Sequence, residues 1–193
     1  QPATPQKRGQ MMGIPWTNMS FYALSCCLIR TTGGVSAMLA HRAATGTPYA
    51  VIGRVALQIH QAEPRTPLDI DLAVHDVAAL PEAELRAAGF VKTGGFAHSV
   101  NWEGPGGTPV QFSDDPGFRE AIERSGTSTI DGTLLRVGAP LDLVRAKLRA
   151  ARDPGRRRSK RIQDLADAVS LMESPPELMS DLTATERSEI DRA

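Results

Sequence analysis

Asp69 and Asp71 stand two residues apart in the run Leu-Asp-Ile-Asp-Leu-Ala-Val, with apolar residues between and after them. In a strand, residues i and i+2 point to one face, so the two carboxylates look the same way, roughly 6–7 Å apart along the backbone. A pair so placed suits a small hard cation, which takes one or two carboxylates and leaves its other sites to water and phosphate. Phosphoryl-type chemistry needs this arrangement, because the cation neutralises triphosphate oxygens and a second one activates the attacking oxygen. Alone, Asp-x-Asp is a weak motif and is more often the solvated face of a strand. Its surroundings narrow the choice. Tyr49–Ile52 ends at Gly53-Arg54 and leads into a helical pattern over Val55–His60. Such a strand–turn–helix offers backbone N–H groups to phosphate, and Arg54 and Arg65 add charged donors on either side.

The elements that must position these groups follow from local pattern. Tyr49–Ile52 is a brief aromatic and β-branched run, the mark of a buried strand. Leu68–Val74 alternates, with Ile70, Leu72 and Val74 on one face and the two aspartates on the other. Ala37–Ala44 reads as a short helix, Glu63–Pro67 as a proline-marked turn, and Pro81 to Gly89 as a helix with proline at its start and glycine at its end. Phe90–Lys92, Phe96–Trp102 and Pro109–Phe112 read as strands, the last two joined at Gly104–Gly107. Asp114, Asp115 and Pro116 form the cap and first turn of a helix reaching Arg124, and Thr129–Val137 is a hairpin about Asp131-Gly132. From Pro140 the pattern is helical: Leu141–Ala151, Ser159–Met172 and Ala184–Arg192, the last opened by a Thr183/Glu186 capping box. The expected fold is α+β, a mixed sheet flanked by helices with a C-terminal helical segment. Three parts are expected: a weakly structured leader over 1–36, a core over 37–139, and a helical segment over 140–193 packed on it.

Composition narrows the function classes. The chain has 193 residues, enough to bury a core without disulfides. Its formal net charge is zero, so no global field advertises nucleic acid or membrane as a partner. The balance is uneven, for no acidic residue precedes Glu63 while Lys7, Arg8, Arg30, Arg42 and Arg54 all do. Cys26 and Cys27 are adjacent, where disulfide geometry is rarely reached, so a reducing, cytoplasmic setting is expected. The apolar run Phe21–Ile29 is too short to span a bilayer. With Lys7 and Arg8 it loosely imitates a signal peptide, but Pro15, Asn18 and the wide gap between the two features count against that.

Other side chains have mostly structural readings. His41, His60 and His98 have no Ser or Cys partner at an informative spacing, which favours surface or packed roles. Trp102 and Phe112 read as core rather than as a stacking platform. The run Arg156-Arg157-Arg158-Ser159-Lys160-Arg161 is the most basic in the chain. It is either a solvated helix start, against the helix dipole, or a contact for an anion or RNA.

Tyr49–Leu57 followed by Arg65–Val74 resembles the nucleotidyltransferase superfamily of polymerase-β type, with its glycine turn and Asp-x-Asp strand. The similarity is greatest to the abortive-infection toxin (AbiEii-like) branch, which often has Arg and Thr just before the aspartates. Leu141–Lys147 resembles that branch's Asp-Leu-x-x-x-Lys helix, and Lys160, Asp164 and Asp167 its Lys-x-x-x-Asp-x-x-Asp helix. The resemblance covers about Tyr49 to Met172. It implies that Gly53 lines a triphosphate turn, that Asp69 and Asp71 bind Mg2+ (or Mn2+), and that Lys147 contacts nucleotide phosphate. It implies transfer of a nucleotide from a nucleoside triphosphate to an RNA, protein or small-molecule acceptor, in a toxin or phage-defence role, with a cognate antitoxin as a further partner and no membrane.

Two positions depart from that pattern. Arg54 follows Gly53 where a small residue is expected, which crowds the turn. Gln111 stands where a third carboxylate is expected, and a neutral amide neither serves as a general base nor matches a carboxylate as a metal ligand. Asp114 or Asp115 is an alternative source of that charge, with helix capping as the competing role. Gln111 therefore also favours a second reading, a non-catalytic nucleotide- or partner-binding protein of the same fold with a regulatory role.

Overall fold

The computed structural model describes residues 48–60, 69–130, 133–173 and 176–193. The expected leader, the helix at 37–44, the turn at 63–67 with Arg65, and the tip Asp131-Gly132 lie outside the described residues.

Tyr49–Ile52 forms β1, and all four of its residues are buried. That accounts for its unbroken apolar sequence, because a central strand covered on both faces has no solvent side to mark with polar residues. Gly53–His60 is α1, two residues longer at its start than the apolar spacing suggests. Ile70–Val74 is β2, with Ile70, Leu72 and Val74 buried as the alternation requires. After a short 3-10 turn at Val77–Ala79, capped by Asp76, come α2 (Glu82–Ala87), β3 (Val91–Phe96), β4 (Ser99–Glu103) and β5 (Pro109–Ser113). Then follow α3 (Arg119–Glu123), β6 (Gly126–Ile130), β7 (Thr133–Val137), α4 (Pro140–Arg152), α5 (Arg158–Glu173) and α6 (Ala184–Ile190).

The seven strands make one sheet in the order β3-β4-β5-β2-β1-β7-β6. β1 runs antiparallel to β2 and parallel to β7, and β2 runs parallel to β5. The fold is thus the mixed sheet with flanking helices that the sequence predicts. Two details differ. The expected strand Phe96–Trp102 is broken by a tight turn at Ala97-His98, which pairs β3 with β4 as a hairpin. The expected helix from Asp114 is in fact a 3-10 turn at Pro116–Phe118 leading into α3, with Asp115 as the capping residue of the turn.

The core lies between the sheet and α1, α4 and α5. Val55, Ala56 and Leu57 of α1 meet β1 and β2, while Val144 and Leu148 of α4 meet Ala168 and Leu171 of α5; all are buried. Each buried leucine of this kind contributes about 2 kcal/mol of transfer free energy. Trp102 and Phe112 are core residues, as expected from the sequence. Polar ties fix the register between distant segments. The Gly138 N–H donates to the Val51 carbonyl at 2.9 Å, and His60 Nε2 donates to the Gly138 carbonyl at 3.1 Å. His60 is accordingly a packed residue whose burial pushes its pKa down. Arg124, at the end of α3, grips Asp142 of α4 with both Nε and Nη2. The predicted capping box of α6 is present, and Arg145 and Arg152 of α4 pair with Glu186 and Glu189 of α6.

Candidate functional site

Strand pairing brings the glycine turn and the aspartate strand together. Ile52 is the partner of Asp71 across β1 and β2, so the residue after Ile52 must pass directly over the Asp71 side chain. That residue is Gly53, with φ +62°. A β-carbon at this position would fall inside the Asp71 carboxylate and lie 2.8 Å from Asp71 Cβ. Both the backbone conformation and the lack of space therefore demand glycine. Arg54, where the sequence pattern expects a small residue, is half-buried and lines the cleft beside Gly53.

Asp69 and Asp71 both line this cleft, which has a volume of about 850 Å3. Burial, and then the neighbouring charge of Asp69, push the Asp71 carboxyl up to about 6, while Lys147, Arg54 and Arg156 pull it the other way. Burial is the larger cause, so the site disfavours the ionised Asp71 chiefly by keeping water from it. A carboxylate pair in that state fits a divalent cation, and Asp69 and Asp71 are the residues that would hold it. Among the described residues no group of three or more His, Cys, Asp or Glu side chains converges to hold a metal.

Gln111 is the residue beside Asp71 on β5 in the parallel β2–β5 pairing. Its Nε2 donates to Oδ1 of Asn101 on β4 at 3.0 Å, so the row across β2, β5 and β4 reads carboxylate, amide, amide. Of the two carboxylates after β5, Asp115 lines the cleft and Asp114 does not. Asp114 accepts from the Val77 N–H at 3.2 Å and from His98 Nδ1 at 3.3 Å, tying the β3–β4 turn to the segment after β2. Asp114, the possible third site position, is engaged in these two bonds and is not among the residues that line the cleft. Asp115 accepts from the Gly117 N–H at 2.7 Å, the capping role that competed for it in the sequence.

Lys147 reaches the cleft from α4 and is held there by α5. Its Nζ donates to Asp164 at 3.0 Å and to Asp167 at 2.7 Å. Arg156 donates to the other oxygen of Asp164 at 2.6 Å, and Gln163 to the other oxygen of Asp167 at 2.8 Å. Both aspartates are buried. Positions i and i+3 on one helix face explain why the two can share one ammonium. Sequence reasoning identified Lys147 and the Asp164/Asp167 spacing, but the pairing between them is a contact of 17 and 20 residues that no local pattern announces. Asn101 and the His98–Asp114 link were missed for the same reason. The basic run divides: Arg156 and Lys160 line the cleft, while Arg161 donates to the Ala151 carbonyl at 2.8 Å.

No protein-family model matches the chain, and no curated protein matches it in sequence. Solved structures do match its fold. The antibiotic-resistance factor ANT(2'')-Ia is similar with a TM-score of 0.52 at 17% identity, over 84% of this chain and 91% of that one. The polyadenylate synthase of Megavirus is similar with a TM-score of 0.50 at 12% identity, over 91% of this chain and 41% of that one. An antigenic nucleotidyltransferase-like protein from Paracoccidioides brasiliensis gives 0.48 at 18% identity, over 84% and 93%. The fold is nucleotidyltransferase-like. No helix among the described residues is long and apolar enough to cross a membrane.

Proposed function

We propose that this chain moves a nucleotide from a nucleoside triphosphate to an acceptor, using Mg2+ (or Mn2+) held by Asp69 and Asp71. The observation that carries the reading is the fit of the Asp71 carboxylate against Gly53, a contact that only glycine permits, beside a second carboxylate in an open cleft. The bound metal would supply charge neutralisation at the triphosphate oxygens. The Gly53 turn offers its backbone N–H groups to phosphate at the start of α1. Arg54 and Lys147 both line the cleft as cations, and Asp164 and Asp167 hold the Lys147 ammonium in place. In the transfer, an acceptor oxygen bonds to the α-phosphorus as the bond to the bridging oxygen breaks. Pyrophosphate leaves with that electron pair, and the acceptor proton passes to water.

The finer assignments are proposals of the same kind. Membership of the abortive-infection toxin branch is supported by the Arg65-Thr66 pair before the aspartates and by the Lys160, Asp164 and Asp167 spacing. With it come a phage-defence role in the cytoplasm and a cognate antitoxin. The regulatory reading, in which the cleft binds nucleotide without transfer, is favoured by one observation, the amide of Gln111 committed to Asn101 beside Asp71.

Incubation of the protein and Mg2+ with each of the four triphosphates, labelled at the α-phosphate, and with total RNA and protein decides between them. Label should pass to an acceptor with wild type and fail to do so with Asp69→Asn. Tight nucleotide binding with no label transferred and no triphosphate consumed would overturn the enzyme and leave the regulatory reading.

A further inference from the structure

Away from the aspartates, the cleft wall changes character. Phe96 ends β3 and is 71% exposed, the most exposed of the large apolar side chains among the described residues. An isolated exposed apolar residue needs no explanation, but this one lines the cleft, as does His98 two residues on. The turn that carries them is held firmly. The His98 carbonyl accepts from Ser113 Oγ at 3.0 Å and from the Asp114 N–H at 3.2 Å, while Asp114 fixes the ring through Nδ1. Even so, 63% of the His98 side chain is exposed, so the ring is oriented without being covered.

A second ring, half-buried Phe118, lines the same cleft, and the Arg149 guanidinium lies 5.4 Å from its centroid. Arg149 Nη1 donates to the Gly117 carbonyl at 3.1 Å. The guanidinium lies so close over Gly117 that a β-carbon there would push its tip aside. Beyond Arg149 the wall continues into Arg156 and Lys160, with Arg157 and Arg158 exposed alongside. Arg157, Arg158 and Lys160 form no ion pair among the described residues. The acids at this end, Asp115 and Asp153, each accept a backbone N–H of their own turn.

Positioned rings and a flat guanidinium next to a row of cations match the chemistry of single-stranded nucleic acid, whose bases stack on aromatic faces while its phosphates track positive charge. From this we infer that Phe96, His98 and the Phe118–Arg149 pair form a base-stacking subsite for the acceptor. The acceptor is accordingly the end of a single strand, with Arg157, Arg158 and Lys160 along its backbone. The inference rests on the transfer reading for the role of the strand, but the subsite itself is a binding claim that stands or falls separately. It also absorbs the basic run, which is otherwise an unfavourable start for a helix.

The test is fluorescence anisotropy with a labelled single-stranded RNA of about six nucleotides and with its abasic ribose-phosphate counterpart, at one fixed salt concentration. Wild type should bind the RNA about tenfold or more tighter than the abasic strand, and Phe96→Ala should remove most of that difference, a loss of about tenfold. Phe96→Trp should preserve it. Lys160→Ala should weaken both strands alike. Equal affinity for the two strands, or full RNA affinity in Phe96→Ala, overturns the subsite. A Phe96→Ala variant that instead loses affinity for the Mg2+-bound triphosphate also overturns it, because the ring would then serve the donor base. Triphosphate binding by wild type and Asp71→Asn, measured by calorimetry on the same preparations, reports on the transfer reading alone.

Discussion

Removing the charge of Asp71 should stabilise the protein, and the size and pH dependence of the gain follow from the site. Burial and Asp69 raise this carboxyl from 3.8 to about 6. A carboxyl whose pKa is raised by folding holds its proton more tightly in the folded chain. Its contribution is therefore whole below the unfolded value and is lost as pH rises through the folded one. The gap of about two pH units corresponds to about 3 kcal/mol at 1.36 kcal/mol per unit, an upper figure because solvent relaxes around a partly open site. Asp71→Asn retains the shape without the ionisation. In metal-free buffer its stability advantage over wild type should grow by about 1–3 kcal/mol between about pH 4.5 and pH 8. Urea unfolding at a series of pH values with a chelator measures this directly. Millimolar Mg2+ should then stabilise wild type by binding only the folded state and leave Asp71→Asn unmoved. A stability difference that stays flat across that pH range, or an Asp71→Asn variant weaker than wild type at pH 8, would refute the account of a carboxyl whose burial opposes its ionisation.

Gly53→Ala should cost about 1–2 kcal/mol for its left-handed backbone and about as much again for the clash with Asp71, which turning the carboxylate does not relieve because Asp71 Cβ is itself too near. Urea unfolding of Gly53→Ala combined with Asp71→Gly should recover the second part alone. Lys147→Met leaves two buried carboxylates without their shared ammonium and should lower stability by about 3–5 kcal/mol. Adding Asp167→Asn should restore part of that loss, because Arg156 still serves Asp164; thermal unfolding of the two variants reads the difference.

The parts of this fold that were legible in the sequence are those whose signals are local. Tyr49–Ile52 declared itself by unbroken apolar residues, and Leu68–Val74 by alternation, because one strand is buried on both faces and the other presents carboxylates to the cleft. Asp153-Pro154-Gly155 separated α4 from α5 plainly. The β3–β4 hairpin was hidden because its turn is Ala97-His98, with none of the glycine, asparagine or aspartate that mark tight turns. The exposed Phe96 beside it made the strand look continuous with buried Val100 and Trp102. At the site, Asp69, Asp71, Gly53 and Lys147 were named from the sequence, whereas the partners of Gln111 and Lys147 were not. Those partners are set by which strand lies next to which and by how α5 folds back on α4, and neither leaves a trace in nearby residues.

The position of β1 inside the sheet bears on how the chain reaches this state. Its neighbours are β2, about twenty residues on, and β7, more than eighty residues on. Parallel pairing over such a span closes a long loop before any contact rewards it, and this slows folding. As the chain is synthesised, the glycine turn and both aspartates emerge long before β7 can cover the second edge of β1. The buried strand Tyr-Ala-Val-Ile is bare on that side until then, so the segment that builds the site is also the one most exposed to mispairing during synthesis.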